Sequence, residues 1–349
     1  MDTPFSFSGS GIVYHFLTFS PCLIALIYLF SAVGKRKSVG GTNQSNNEVV
    51  DKSSCCASCG KAAVDDIELK ECDGCDLVRY CSDECQQNHQ SEHEESCKKR
   101  ATELRDEQLF KQPEGTHMGD CPICMVPLGF DSRKFMMYAC CSKVICKDCA
   151  SANTIRELEQ SLLHSCPFCR KPVPKTEEEC HRRRMKRIEA NNPVAMCQEG
   201  KKQYNKGNYT CAFEYLSRAA ELGNADAHCK LAGMYDLGKG VEKDEGKYTR
   251  HLEEAAIGGH SHARVLLGIY EYSNNNLDRA VKHWMIAATQ GDDDSIKALM
   301  IAFRDGYVEK EVLAAALRAH HAAVDATKSP HRKEAEEVEI TILVNGKEV

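Results

Sequence analysis

Cysteine spacing is the feature that most limits what this chain can fold into. Of the 21 cysteines, 15 lie between Cys56 and Cys169, mostly in Cys-x2-Cys pairs. The cysteines outside this pattern are Cys22, Cys55, Cys180, Cys197, Cys211 and Cys229. A Cys-x2-Cys pair lets two thiolates bind one metal ion from a tight turn, whereas disulfide scaffolds are typical of short secreted chains. The clustering therefore favours zinc sites in a reducing compartment over disulfides or inert buried thiols.

Length and charge restrict the classes of function. A chain of 349 residues is long enough for about two or three compact units. Its formal net charge of −6 comes with both signs well mixed, so the chain lacks the basic field that nonspecific nucleic-acid binding needs. The one basic run, residues 181–187, is flanked by carboxylates at 177–179 and at Glu189. We interpret it as a solvated helical linker, with a nuclear-import or phosphate-binding patch as the alternative.

An apolar stretch near the N-terminus is long enough to cross a membrane. It runs for 22 residues from Ile12 to Val33, and a basic cluster at 35–37 follows at once. The positive-inside rule then predicts a single-pass anchor whose C-terminal side is cytosolic. A cleaved signal peptide is the main alternative, but the usual charged start is absent. Under another alternative, the protein is soluble and cytoplasmic or nuclear.

The first Cys/His block supplies eight soft ligands, enough for two tetrahedral zinc sites. They are Cys56, Cys59, Cys72, Cys75, Cys81, Cys85, His93 and Cys97. Ligands spaced by four residues share one helix face, and Ser82 is placed to N-cap that helix. His89 competes with His93 as a ligand on spacing alone, although we expect His89 to pack near the sites.

This block resembles the MYND zinc finger, because residues 80–86 followed by His93 and Cys97 match the second half of that motif. The resemblance implies an interleaved arrangement of two zinc ions. One ion would be held by Cys56, Cys59, Cys81 and Cys85, and the other by Cys72, Cys75, His93 and Cys97. MYND fingers bind short peptide motifs of partner proteins, so the resemblance implies recognition without chemistry.

The second block again offers eight thiolates, in the order Cys121-x2-Cys124, adjacent Cys140 and Cys141, Cys146-x2-Cys149, and Cys166-x2-Cys169. This pattern resembles a RING finger. The resemblance implies one ion held by Cys121, Cys124, Cys146 and Cys149, and another held by Cys140, Cys141, Cys166 and Cys169. Its middle departs from most RING fingers, which have Cys-x-His there. This chain has adjacent Cys140 and Cys141, with Lys143 at the expected histidine position. His164 is a substitute candidate for the eighth ligand.

Three further positions match those that contact the conjugating enzyme and its ubiquitin in RING-type ligases. They are Ile123 in the first knuckle, Pro167 in the last knuckle, and Arg170 just after the final cysteine. The resemblance implies a module without a nucleophile, which would hold the charged carrier in a reactive conformation for a substrate lysine. Alternatively, Ile123 and Pro167 only shape the knuckles, and Arg170 is a surface cation.

The C-terminal half contains a repeat. The motif Ala-Ala-x-x-Gly occurs at 219–223, and recurs at 255–259 and 287–291, with offsets of 36 and 32 residues. Periods of this length predict stacked helical pairs. The region resembles Sel1-like repeats, with three readable units and a degraded fourth unit from Ser295 that would cap the stack. We interpret Trp284 as a core residue and the histidines of this half as surface or packing residues.

Together these patterns predict a multidomain chain, in which small zinc-bound α+β treble-clef-like modules precede an all-α helical-repeat solenoid. The expected segments are a transmembrane anchor (1–34), a flexible linker (35–53), a MYND-type finger (54–97), a charged helical linker (98–118), a RING-type finger (119–172), a basic and acidic linker (173–190), the solenoid (191–326) and a tail (327–349).

The sequence thus favours a membrane-anchored ubiquitin ligase with four zinc ions. Its expected partners are a ubiquitin-conjugating enzyme, ubiquitin, and protein substrates or peptide motifs selected by the MYND-type finger and the repeats. The alternative is a non-catalytic scaffold for protein–protein interactions. A zinc hydrolase is disfavoured, because every site has four protein ligands and leaves no position for water.

Overall fold

The computed structural model of the chain describes residues 55–61 and 68–328, which belong to one compact unit. The segment from Ile12 to Val33, predicted to be a membrane anchor, lies outside these residues, as do the linker at 35–53 and the tail from 329 onward. Among the residues that the structure describes, we find no helix that combines the length and apolar character needed to cross a bilayer.

The first Cys/His block folds as a short hairpin followed by a long helix. Strands β1 (Lys70–Glu71) and β2 (Arg79–Tyr80) pair antiparallel, and helix α1 spans Asp83–Leu109. The predicted N-cap is confirmed, because the Ser82 side chain accepts a hydrogen bond from the Cys85 amide. Of the residues of α1, His93 and Leu109 are buried. The helix is therefore anchored near its middle and at its C-terminal end.

The second block forms a hairpin and a shorter helix. A 3₁₀ turn (Ser132–Lys134) leads into β3 (Phe135–Tyr138), which pairs antiparallel with β4 (Lys143–Cys146), and α2 (Lys147–Glu159) follows. Buried cysteines and a few apolar side chains make up its small core. Such a core buries little apolar surface, so it contributes little stability by itself.

Helix α3 (Glu177–Glu189) connects this module to the solenoid. Its first turn carries three glutamates and its last turn carries two basic residues, which is the charge order that the helix dipole favours. The Thr176 side chain caps its start. The basic run of the sequence therefore lies on a helix. It is not fully solvated as expected, because Arg184 donates to Glu199 and Arg187 donates to the Cys141 carbonyl.

The solenoid consists of four antiparallel helix pairs. Their helices are α4 (Pro193–Asn205), α5 (Tyr209–Glu221), α6 (Ala225–Leu237), α7 (Glu245–Ile257), α8 (Ser261–Ser273), α9 (Leu277–Thr289), α10 (Asp293–Arg304) and α11 (Lys310–Ala326). The predicted all-helical repeat architecture is confirmed. The fourth pair is complete, although its sequence signature is degraded.

The repeat signature corresponds to the turn between successive helix pairs. Gly223, Gly259 and Gly291 all have positive φ values, between 77° and 84°, a backbone conformation that favours glycine. The residue after each glycine caps the next helix with its side chain. Each turn therefore ends one pair and starts the next, which explains why the glycine recurs.

Candidate metal centres

The structure gathers sixteen cysteine and histidine side chains into four tetrads, in each of which the candidate ligand atoms lie within 4.8 Å of one another. In chain order they are Cys56, Cys59, Cys81, Cys85; then Cys72, Cys75, His93, Cys97; then Cys121, Cys124, Cys146, Cys149; and finally Cys140, Cys141, Cys166, Cys169. These groups coincide with the sets expected from the two resemblances. In both modules the tetrads alternate along the chain, so each module is cross-braced.

The first tetrad joins the knuckle that carries Cys56 and Cys59 to the start of α1. A turn closed by a hydrogen bond from the Gly60 amide to the Cys56 carbonyl presents Cys56 and Cys59 together. Cys81 and Cys85 stand one helical turn apart, with their Sγ atoms 3.6 Å from each other. The Cys59 Sγ atom lies 3.5 Å from that of Cys81, so the knuckle and the helix meet at one point.

The second tetrad uses the next turn of α1. His93 and Cys97 are four residues apart on one face, and the His93 Nε2 atom lies 3.2 Å from the Cys75 Sγ atom. The other ring nitrogen of His93, Nδ1, is 3.0 Å from the Ser96 hydroxyl, a contact that orients the ring. Burial lowers the pKa of His93, which keeps the ring neutral as a metal ligand must be.

His89, the competing candidate, is not part of a tetrad. Its Nδ1 atom lies 3.0 Å from the Tyr80 hydroxyl, and its ring stacks on that of His93. Burial raises the pKa of Tyr80 to about 12, so this hydroxyl keeps its proton near neutral pH. His89 and Tyr80 therefore form a packing layer beside the second tetrad.

The third tetrad places two ligands at the start of α2. Cys146 is the N-cap of that helix and its Sγ atom accepts a hydrogen bond from the Cys149 amide at 3.4 Å. The knuckle that carries Cys121 and Cys124 turns through Met125, which has a positive φ of 55°. The Cys124 Sγ atom lies 3.9 Å from that of Cys146, so this knuckle closes on the helix start.

The fourth tetrad resolves the irregular middle of the second block. Adjacent Cys140 and Cys141 both face it, with Sγ distances of 3.4 Å from Cys140 to Cys169 and 3.8 Å from Cys141 to Cys166. Ser142, with a positive φ of 56°, turns the chain directly after this pair. Neighbouring cysteines thus reach one point because the backbone reverses there.

His164, the substitute candidate for the eighth ligand, is bonded to a carboxylate outside the tetrad. Its Nδ1 atom lies 3.0 Å from a carboxylate oxygen of Glu157, which is buried at 3% exposure. Burial by itself would raise the pKa of Glu157, but hydrogen bonds from Ser165, Asn153 and His164 outweigh it and lower the pKa to about 2. This carboxylate ties α2 to the last knuckle, and no motif in the sequence signals that role.

The donor geometry suits zinc. Four thiolates at the usual Zn–S distance of about 2.3 Å, arranged tetrahedrally, stand about 3.8 Å apart. Six Sγ–Sγ contacts within the tetrads measure 3.4 to 3.9 Å, and all ligand atoms of a tetrad lie within 4.8 Å of one another, far beyond the roughly 2.05 Å of a disulfide bond. The four tetrads are consistent with four zinc ions, and each has four protein ligands, as structural zinc sites do.

The three positions matched to RING-type ligases do not share one environment. Ile123 is 42% exposed, whereas Pro167 is buried. The Arg170 guanidinium donates a hydrogen bond to the Asn153 side chain at 2.6 Å, so it already has a partner within the module. Lys143, at the expected histidine position, lies over the ring of exposed Phe168.

Residues 56–97 match the family model described as MYND finger. This match confirms the resemblance expected from the first block and covers the two tetrads that the first module holds.

A second similarity is to a protein of Ostreid herpesvirus 1 (isolate France) that is named as a RING finger protein, ORF96. The two are 36% identical over 53 residues, which is 15% of this chain and 22% of that protein. The chain therefore spans about a fifth of the length of this curated relative.

Two solved structures are also similar. One is a Sel1 repeat protein from Oxalobacter formigenes, with 22% identity and a TM-score of 0.38 over 51% of this chain and 74% of that chain. The other is c5321, a protective antigen of uropathogenic Escherichia coli strains that displays an SLR fold. It has 22% identity and a TM-score of 0.34 over 47% of this chain and 37% of that chain.

Proposed function

We propose that this protein is a zinc-stabilised scaffold that binds partner proteins through surfaces held at fixed positions. The observation that carries the proposal is the continuity of α1. This helix bears His93 and Cys97 of the second tetrad, and its C-terminal end packs into the solenoid. A scaffold acts by setting the distance between its partners, so a stiff connection between binding modules supports that role.

Ion pairs hold the last turns of α1 against the solenoid. Arg105 contacts two neighbouring carboxylates on α7, with 2.6 Å from its Nε atom to Glu253 and 3.3 Å from an Nη atom to Glu254. On the other side of α1, Asp106 accepts a hydrogen bond from Arg279 of α9. These partners are half-buried, so solvent screens the pairs less than fully exposed ones.

Arg264 of α8 also contributes to the interface between α1 and the solenoid. Its side chain is fully buried, and it donates to the Leu109 carbonyl at 2.7 Å and to the Lys111 carbonyl at 3.4 Å. These carbonyls lie at the C-terminal end of α1, where helices leave acceptors unsatisfied and favour a cation. Burial lowers the pKa of Arg264 to about 10, so the guanidinium is still charged near neutral pH.

The segment that leads from α1 to the second zinc module also lies along the solenoid. The His117 amide donates to the Gly259 carbonyl at 3.0 Å, and the His117 ring stacks on that of His260 at 4.1 Å. The Gln290 side chain donates to the Gly115 carbonyl at 3.1 Å. The segment predicted as a charged helical linker is therefore helix up to Leu109 and irregular chain with turns after it, and both parts are bound to the repeats.

Methionine in place of Arg264 is expected to loosen this interface. The change leaves the buried Leu109 carbonyl at the end of α1 without this donor, which should cost roughly 2 kcal/mol. Amide hydrogen exchange in residues 98–109 should accelerate, while exchange in the core of α9 stays slow. Arg250→Met, on an exposed position of α7, is the matched control and should leave both unchanged. Equal protection of α1 in wild type and Arg264→Met would argue against a rigid connection.

A scaffold should hold more than one partner at a time. We expect proteins cross-linked to the full chain in cells to include one group that is lost on Cys97→Ser and another that is retained. Cys97 belongs to the second tetrad, so its loss should remove partners of the first module while the solenoid keeps its own. Partners that all depend on one module would contradict the proposed scaffold.

The second candidate function is that of a RING-type ubiquitin ligase, with a conjugating enzyme and ubiquitin as partners. Its support is the cross-braced second module together with Ile123 and Phe168, which are 42% and 44% exposed on the first and last knuckles. The burial of Pro167 and the bond between Arg170 and Asn153 favour the scaffold instead.

Discharge of ubiquitin from charged conjugating enzymes to free lysine separates the two candidates. For a scaffold, the full zinc-loaded chain should not accelerate discharge relative to Ile123→Ala with any enzyme in a broad panel. An acceleration of tenfold or more that disappears in Ile123→Ala would establish the ligase and overturn the non-catalytic assignment.

Attachment of this scaffold to a membrane stays a prediction that rests on the apolar segment from Ile12 to Val33. Alkaline extraction of cell membranes tests it. An anchored chain stays with the membrane fraction, and removal of residues 1–34 should release it. Release of the full chain by alkaline buffer would show that the segment does not span the bilayer.

A further inference from the structure

Two histidines on neighbouring helices of the solenoid face each other directly. His228 lies on α6 and His251 on α7, 23 residues apart in the chain, and their Nδ1 atoms are 3.0 Å apart. Their ring centroids are separated by 5.2 Å, with an angle of 41° between the rings. The pair is half-buried and lies outside both zinc modules.

The surroundings orient both rings. The backbone carbonyl of Ala220 faces the His228 ring as a hydrogen-bond acceptor and raises the pKa of that ring, though by less than burial lowers it. Tyr235 stacks on the His251 ring at 5.6 Å with an angle of 12°. A carbonyl that accepts the second ring N–H is the arrangement that orients histidine ligands in metal sites.

The two rings are uncharged near neutral pH. Burial lowers the pKa of His228, and burial together with the positive field of His228 and Arg250 lowers the pKa of His251 to about 4. A neutral imidazole binds a metal ion without first losing a proton. The carboxylate of Glu254 acts on the pKa of both rings in the opposite direction, but its effect on His251 is smaller than that of the positive groups.

We propose that His228 and His251 form a binding site for a divalent transition metal ion, such as Zn²⁺ or Ni²⁺. Two imidazole nitrogens at a Zn–N distance of about 2.0–2.1 Å in tetrahedral geometry stand about 3.3 Å apart, and about 2.9 Å apart in square-planar geometry. The observed 3.0 Å falls between these values.

This site differs from the four tetrads in being open. Two protein nitrogens leave two or more coordination positions for water or for a donor from another molecule. Glu254, one helical turn beyond His251, is the nearest carboxylate candidate on the same helix, and it accepts the longer of the two Arg105 contacts at 3.3 Å. The inference is independent of the scaffold role proposed above.

Calorimetric titration of Ni²⁺ into the full, zinc-loaded chain tests the site. We expect wild type to bind one equivalent that His251→Phe does not bind. Phenylalanine keeps a ring to stack on Tyr235 and removes the ligand atom, so this variant should fold. His228→Ala should lose the same equivalent.

The matched control is His321→Phe. His320 and His321 are also neighbours, but their ring centroids are 6.0 Å apart and the angle between the rings is 65°. This control should retain the Ni²⁺ equivalent. Equal binding by wild type and His251→Phe, or no binding by wild type, would overturn the proposal and identify the contact as an Nδ1–H···Nδ1 hydrogen bond only. Unchanged thermal unfolding without added Ni²⁺ verifies that His251→Phe is folded.

Discussion

Serine in place of Cys166 is expected to release a zinc ion and to unfold the second zinc module. The Cys166 side chain is fully buried, and its Sγ atom lies 3.8 Å from that of Cys141 in the fourth tetrad. Structural zinc contributes on the order of 10 kcal/mol to small modules of this kind, and the apolar core here is too small to replace it. A hydroxyl is a much poorer zinc ligand than a thiolate.

Metal analysis and circular dichroism measure the effect. Wild type should contain four zinc ions per chain, and Cys166→Ser fewer, while most helical signal persists because the solenoid needs no tetrad. Cys180→Ser is the control, since Cys180 lies on α3 outside the tetrads. Retention of all zinc by Cys166→Ser, or two or fewer ions in wild type, would overturn the assignment of four sites.

Alanine at Gly268 is expected to destabilise the solenoid by about 3 kcal/mol. A Cβ atom built on this residue of α8 would lie 2.2 Å from the Trp284 Nε1 atom and 2.6 Å from its Cδ1 atom. The indole is buried at 2% exposure and donates to the Val265 carbonyl, so it has little freedom to move. The clash outweighs the roughly 1 kcal/mol that alanine gains over glycine within a helix.

Gly233→Ala is the control, and we expect it to change the stability of the solenoid in the opposite direction. Gly233 also lies inside a first helix of a repeat, α6, but a Cβ atom built there meets no atom within 4 Å. Only the gain in helix propensity remains, so stability should rise by up to about 1 kcal/mol. Urea unfolding of both variants, followed by circular dichroism, gives the two differences. A stabilising Gly268→Ala would show that α8 and α9 are less tightly packed than described.

Features set by short spacing along the chain were predictable. His93 and Cys97 fall on one helix face because four residues make about one turn, and knuckles of Cys-x2-Cys form locally. The repeat glycines were informative for the same reason, since Gly223 and its equivalents specify a turn by their own backbone preference. Trp284, interpreted as a core residue, is indeed buried.

Features that depend on distant residues were not predictable. The interface of α1 with the solenoid joins Arg264 to the Leu109 carbonyl, 155 residues away in the chain. The contact between His228 and His251 needs the packing of α6 on α7, which no spacing rule describes. At the fourth tetrad, the spacing did not decide which of Cys140, Cys141 and His164 are ligands. The two cysteines meet there because the backbone reverses at Ser142.

Helix α1 also fixes the distance and the rotation of the first zinc module relative to the solenoid. Cys97 of the second tetrad and Arg105 of the solenoid interface lie on the same uninterrupted helix, eight residues apart. Inserting one residue between them would turn the first zinc module by about 100° around the helix axis and shift it by ~1.5 Å, with no loop to absorb the change. The segment of α1 between Cys97 and Arg105 should therefore tolerate substitutions far better than insertions or deletions.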